Sequence, residues 1–214
     1  MCFFFFCRVK QDKEEGQIVD EIYYLYKKGI RGFAFYDDAL LIPPERFIRL
    51  CEEIEEIGII ASFFTPNGLH SRFISKEVAR SMYKCGFKEP RISLETSDVN
   101  IQKTLSTKTS NEEFVNAVEN LKKAGYGKRD IYTYLLAGAP GISFESVERS
   151  INYVEKTGTK ITLAEFSPIP ETEMGEDLPD PLFTNNTVYY HYKKKEKEMV
   201  RVKRLAKEAN KRIG

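Results

Sequence analysis

The 214 residues contain no CxxC pair, only four cysteines (Cys2, Cys7, Cys51 and Cys85), and two histidines. The cysteines follow no regular spacing, so a disulfide framework is not expected and a reducing, cytoplasmic setting is. His70 and His191 fall in a turn and near the tail without metal-ligand spacing, and neither is assigned a role. Long apolar runs are also missing, and none approaches the roughly 20 residues that cross a bilayer. The opening MCFFFFC is short, lacks a basic leader and runs into RVKQDKEE, which makes a poor signal peptide. No membrane partner is expected.

Net charge is nearly absent. Thirty-three Lys and Arg stand against 32 Asp and Glu, a balance that favours no nucleic acid, membrane or acidic partner. The distribution is uneven: Lys193 to Gly214 carries ten basic and three acidic residues, a net of +7, which leaves −6 for the body. A basic terminal helix can track the phosphates of a nucleic acid. A solvated helix face explains the same composition more simply.

What is present is 42% hydrophobic and 30% charged residues, which suits one globular domain with a sizeable core. Along the chain, helix and strand patterns alternate. Gln17 to Gly29 has Ile18, Ile22 and Leu25 at helical spacing and stops at glycine. Gly32 to Tyr36 is too short for a helix and reads as a buried strand. Pro43 and Pro44 open a helix with Phe47, Leu50, Ile54 and Ile57 on one face, before Gly58 and the strand IIASFFT. A helix over about Ser75–Lys84, a strand over Arg91–Glu95, a helix over Asn111–Ala124 and a strand over Ile131–Ala137 follow. A fifth helix, roughly Ser143 to Thr157, leads into the strand ITLAEFSP.

These strands are near-continuous apolar runs, the mark of burial on both faces and of parallel pairing. Repeated βα units of this kind predict an α/β fold with a parallel sheet, either doubly wound or a partial TIM-like (β/α)6 barrel over residues 1–172. Residues 173–188 read as a loop. Residues 189–214 read as a basic helix whose Met199, Val202, Ala206, Ala209 and Ile213 form a stripe against the body.

In parallel β/α folds ligands bind beyond the carboxyl ends of the strands. There the sequence places Tyr36-Asp37-Asp38, Thr65-Pro66-Asn67-Gly68, the trio Ser93, Glu95 and Thr96, then Gly138-Ala139-Pro140-Gly141 and Ser167-Pro168-Ile169-Pro170. Each has a plainer reading as well: an Asp pair caps or turns, and GAPG and TPNG are turn signals. Glu95 is harder to dismiss, because a carboxylate in a buried strand needs a polar partner.

FAFYDDALL, SFFTPNGLH, RISLETSD, YLLAGAPG and AEFSPIP, in this order, resemble the radical S-adenosylmethionine superfamily, most closely members often preceded by a cobalamin-binding domain. The resemblance covers about Gly16 to Thr172. It implies S-adenosylmethionine and a [4Fe–4S] cluster as cofactors, with cobalamin only through a domain lying outside this sequence. It implies reductive cleavage of S-adenosylmethionine to start radical chemistry on an unknown small-molecule or macromolecular substrate. Carried over residue by residue, Tyr36, Asp37 and Asp38 meet the methionyl amino group. Ser93 and Glu95 approach the ribose and carboxylate, Leu136, Ala137, Gly138, Pro140 and Gly141 lie by the adenine, and Asn67 joins them as a cofactor contact.

The family's cluster loop is CxxxCxxC after the first strand, and no such run occurs. With Cys7 as last ligand the middle one falls on Phe4 and the first before Met1; with Cys2 as first the others fall on Phe6 and Val9. Phenylalanine cannot coordinate iron. Cys51 and Cys85 lie on helices outside the barrel and read as small buried hydrophobes. The expectation is an N-terminally incomplete chain, its first strand and cluster loop incomplete, with impaired radical chemistry. The alternative is a non-catalytic barrel remnant that binds a nucleotide-like ligand or a partner protein.

Overall fold

The computed structural model describes residues 14–37, 39–104, 109–170, 172, 174–175 and 180–214. The elements in order are α1 (Glu15–Lys27), β1 (Gly32–Ala34), α2 (Pro44–Glu56), β2 (Ser62–Phe64), β3 (Leu69–His70), α3 (Lys76–Cys85), β4 (Arg91–Glu95), α4 (Val99–Thr104), α5 (Asn111–Ala124), β5 (Tyr132–Ala137), α6 (Phe144–Thr157), β6 (Lys160–Glu165), α7 (Asn186–Tyr192) and α8 (Glu196–Ile213). All strand pairs among them are parallel, in a two-stranded β1-β2 sheet and a four-stranded β3-β4-β5-β6 sheet. Phe63 of β2 also bridges to the segment before β4, its N–H donating to Gly86 O at 3.1 Å while its carbonyl accepts from Lys88 N at 2.8 Å. The result is an open, partial barrel, as the alternation of apolar runs predicts.

Local chemistry accounts for the helix limits. Ser75, Ser110 and Ser143 each accept a backbone N–H of the first turn of α3, α5 and α6, and Ser110 forms a reciprocal box with Glu113. The helices bury one stripe: Phe47, Leu50, Cys51 and Ile54 on α2, Phe114, Ala117, Val118 and Leu121 on α5. These meet the outward residues of the strands, Ile92 and Leu94 on β4 and Thr133, Leu135 and Ala137 on β5, while the alternate residues face the barrel interior and stay half-buried.

The expected helices and strands are present, with limits moved by one to three residues at most ends. Three elements are additional. The residues after the TPNG turn form β3, which pairs with β4; a short 3₁₀ turn spans Ser71–Phe73; and α4 follows β4. The segment read as a loop contains a second 3₁₀ turn at Pro181–Thr184 and the start of α7. The basic tail is two helices rather than one, because Lys194 takes a left-handed φ of 54° and breaks the path between Tyr192 and Glu196.

α8 docks on α6 and β6 through Met199, Val202, Ala206 and Ala209. Its cations are partly committed to the body. Arg201 pairs with Glu148, Lys203 with Glu165 at 2.8 Å, and Arg212 with Glu155 through two contacts of 2.5 and 2.9 Å. No helix among the described residues is long and apolar enough to cross a membrane.

Candidate functional site

The carboxyl ends of the strands are stitched together by polar bonds between loops. Asn67 Nδ2 donates to Tyr36 O at 3.2 Å, tying the turn after β2 to the segment after β1. Tyr134 on β5 reaches under the same turn, its hydroxyl donating to Pro66 O at 2.8 Å while accepting from Arg91 Nη1 at 3.1 Å. Ser71 Oγ donates to Ser93 O at 2.8 Å. A side chain on Gly68 would collide with Ser93 Oγ and come within 3.0 Å of Tyr134, so only glycine lets this turn rest on the inner face of β4 and β5. These contacts bring Tyr36, Asn67 and Ser93 to one rim, and Glu95 lies two residues beyond Ser93 at the end of β4.

Glu95 is the most unusual residue of that rim. It ends β4 at a register shift between Ser93 and Glu95, with φ of +66°, and it is half-buried. A non-glycine residue in the left-handed region is held there against a local cost of about 1 kcal/mol or more, and such residues cluster at functional sites. Among the described residues no side chain bonds to its carboxylate. The buried Thr65 hydroxyl, just after β2, also lacks a partner among the described residues. Polar groups away from water are normally satisfied, and the half-buried Glu95 carboxylate is open to the polar atoms of a ligand.

The other expected residues are placed as follows. Tyr36 is 73% exposed at the mouth. Asp37 is exposed too, its carboxylate accepting from Ala39 N at 2.8 Å as a turn former. Leu136 is half-buried, Ala137 is fully buried, and Pro140 and Gly141 are exposed on the following turn. Asp38, Cys2 and Cys7 lie outside the described residues.

Gly138 turns out to serve the C-terminal segment. Its φ is +82°, and a Cβ there would sit 2.5 Å from the ring of Tyr190 on α7. Tyr190 is buried, and its hydroxyl lies 3.2 Å from Ala137 O and 3.0 Å from Phe166 O, between the ends of β5 and β6. Burial pushes its phenol up from the ordinary range, so it remains a protonated donor. Gly138→Ala is expected to cost about 2 kcal/mol through left-handed strain and overpacking, read as a lower urea midpoint with an unchanged slope.

Several site features carried no clear sequence signal. Tyr134 and Tyr190 read as ordinary apolar positions, and the bonding of Ser150, Asn111 and Gln102 to the segment after Glu95 crosses more than one element. Only Tyr134 had a cue, as the polar-tipped inward member of the alternating YTYLLA.

Among the described residues no group of three or more His, Cys, Asp or Glu side chains could hold a metal ion. Cys51 and Cys85 are both buried; the hydrogen bond that the Cys51 thiol makes to Cys85, then burial, pushes that thiol well above its usual range. Packed between α2 and α3, these two residues behave as small hydrophobes, as their helical positions predict.

The parallel sheets, their helical jacket and the polar rim at the carboxyl ends of the strands define an open, partial β/α barrel. The family model "Radical SAM superfamily" matches residues 1–154, and the chain belongs to the radical SAM superfamily. Its fold is similar to the cobalamin- and [4Fe–4S]-bound radical S-adenosylmethionine methyltransferase TsrM from Kitasatospora setae, with 16% identity, a TM-score of 0.66, and coverage of 76% of this chain and 33% of that one. It is similar also to the archaeal Elp3 of Methanocaldococcus infernus (14% identity, TM-score 0.57, 90% of this chain and 49% of that one). Coproporphyrinogen III oxidase of Escherichia coli, a radical SAM enzyme, gives 13% identity and a TM-score of 0.55, covering 89% of this chain and 47% of that one. The chain thus spans a third to a half of these proteins. No curated protein matches it significantly.

Proposed function

We propose that the rim binds S-adenosylmethionine, the cofactor that the superfamily implies together with a [4Fe–4S] cluster. In this reading Tyr36, Asp37 and Asp38 face the methionyl ammonium. Asn67, Ser93 and Glu95 face the ribose and carboxylate region, and residues Leu136 to Gly141 border the adenine. Carboxylates suit an ammonium and ribose hydroxyls, and the free backbone of a turn suits a purine edge. The observation that carries the reading is Glu95, a half-buried carboxylate without a described partner, held in a left-handed conformation at a strand end.

When bound, the cluster supplies the low-potential electron for reductive cleavage of S-adenosylmethionine. The 214 residues contain no CxxxCxxC, so their cysteines do not fit the three-thiolate loop, and no step is assigned to the cluster here. The chain's own contribution is to orient S-adenosylmethionine and to shield its sulfonium from water within the barrel. The missing loop favours a second reading, a barrel that binds this nucleotide-like ligand without radical chemistry. Cobalamin would enter only with a further domain. The substrate class stays open between small molecule and macromolecule, and the ion pairs of α8 with the body support reading its cations as packing groups before phosphate contacts.

Two measurements test this. Equilibrium dialysis of the chain against S-adenosylmethionine is expected to show one site; no binding would overturn the ligand assignment. Anaerobic reconstitution is expected to leave almost no iron, whereas stoichiometric iron and sulfide that are lost in Cys7→Ser would overturn the reading of impaired radical chemistry.

A further inference from the structure

The strain at Glu95 has a visible support. The segment that follows it, Thr96-Ser97-Asp98, is clamped from two helices remote in sequence. From α6, Ser150 is 1% exposed, and its hydroxyl lies 3.0 Å from Ser146 O, to which it can donate. Its oxygen accepts from Ser97 N at 2.9 Å, with the hydroxyls of Ser97 and Thr96 at 3.1 and 3.4 Å. From α5, Asn111 Nδ2 donates to Ser97 O at 2.9 Å. Gln102 Nε2 on α4 donates both to Thr96 O at 2.7 Å and to Asn111 Oδ1 at 2.9 Å. Outside these, Arg149 pairs with Asp98 at 3.0 Å, which holds the Asp98 carboxyl below its usual range.

We propose that Ser150 is a positioning residue: through Ser97 it anchors the segment after β4 and so holds the Glu95 backbone in the left-handed conformation that presents its carboxylate to the ligand. The buried hydroxyl of Ser150 is more than a helix ornament, since without it the half-buried Ser97 N–H loses its one described acceptor. Besides Ser150, the α6 side holds the loop among the described contacts through the exposed Arg149–Asp98 ion pair, which grips Asp98 and leaves the Ser97 N–H to Ser150. The inference rests on the rim as ligand site only for its consequence; the mechanical part stands on the hydrogen bonds alone.

Ser146 supplies a matched control. It lies one turn earlier on the same helix, is 1% exposed, and its hydroxyl has no described partner. Ser146→Ala should change little, because it deletes an unsatisfied group. The experiment compares Ser150→Ala, Ser150→Thr and Ser146→Ala in the intact chain by amide hydrogen exchange and by S-adenosylmethionine dialysis. The decisive amide is that of Thr96, bonded to Leu94 O at 2.8 Å and not to Ser150. Ser150→Ala is expected to speed Thr96 exchange and to weaken S-adenosylmethionine about tenfold, with Ser150→Thr restoring both and Ser146→Ala matching wild type. Unchanged Thr96 exchange in Ser150→Ala overturns the inference, whatever the ligand result. Should wild type bind no S-adenosylmethionine, the ligand assignment falls and Thr96 exchange still decides the role of Ser150. If Ser150→Ala does not fold, Asn111→Ser, which releases Ser97 O from the opposite side, must speed Thr96 exchange in the same way, and its failure to do so overturns the inference.

Discussion

Phe63→Ala is expected to lower the unfolding free energy by about 3 to 5 kcal/mol. Phe63 is fully buried at the centre of an aromatic cluster, with ring centroids 5.6 Å from Phe33, 6.1 Å from Phe35 and 5.4 Å from Phe87. Phe87 in turn packs on Phe47 of α2 at 5.2 Å. Truncation would therefore open a cavity inside this aromatic cluster, at the residue whose backbone bridges to the segment before β4, and rigid aromatic neighbours collapse poorly into such a space. Because these contacts join segments from Phe33 to Phe87, denaturant unfolding should stay cooperative while its midpoint falls. A loss below about 1.5 kcal/mol would mean that the site repacks and that the cluster does not anchor β1 and β2 to α2 and the segment before β4. Phe63→Leu, which keeps most of the volume, should lose appreciably less.

Glu95→Gly is expected to separate stability from binding. Glycine takes φ of +66° without steric cost, so relief of strain should offset or exceed its own entropy penalty, and stability should hold or rise by up to about 1 kcal/mol. Affinity for S-adenosylmethionine should nevertheless fall roughly 10- to 100-fold, the worth of charge-assisted hydrogen bonds from a carboxylate. Glu95→Gln, which keeps the shape and loses the charge, should lie between the two in affinity and close to wild type in stability. Equilibrium dialysis and urea unfolding on the same preparations would check both. If Glu95→Gly were less stable and bound S-adenosylmethionine as well as wild type, the left-handed turn would be a structural feature and Glu95 no ligand contact.

Much of this architecture was legible in the residues. The stretches around Arg91–Glu95, Asn111–Ala124 and Ser143–Thr157 carry caps and periodicity strong enough to place their elements to within about one residue. Short pieces were less visible. β3 has two residues, and a strand of that length has no periodicity to read; it exists because Leu69 and His70 find partners in Ile92 and Ser93. The division of the basic tail into α7 and α8 likewise turns on one backbone angle at Lys194, a residue with no sequence mark of a break.

For the site, the residue types at the strand ends could be named from order alone, since parallel strands deliver their carboxyl ends to one side. What could not be read was who holds them. The partnership of Gly138 with Tyr190 spans more than fifty residues, as do the bonds from Ser150 to the segment after Glu95. Side-chain pairings at such separations depend on how helices seat against the sheet, which local pattern does not encode.

By itself, then, the sequence determined the βα alternation, the parallel sheet, the superfamily and the absence of a CxxxCxxC loop, because each is written in local apolar periodicity, turn chemistry or residue identity. The tertiary structure alone decided that Glu95 is held in a left-handed turn, that Gly138 makes room for Tyr190, and that the body absorbs cations of the basic tail in ion pairs. Those outcomes come from packing between elements distant in sequence, where backbone conformation and charge partners are set by the fold as a whole.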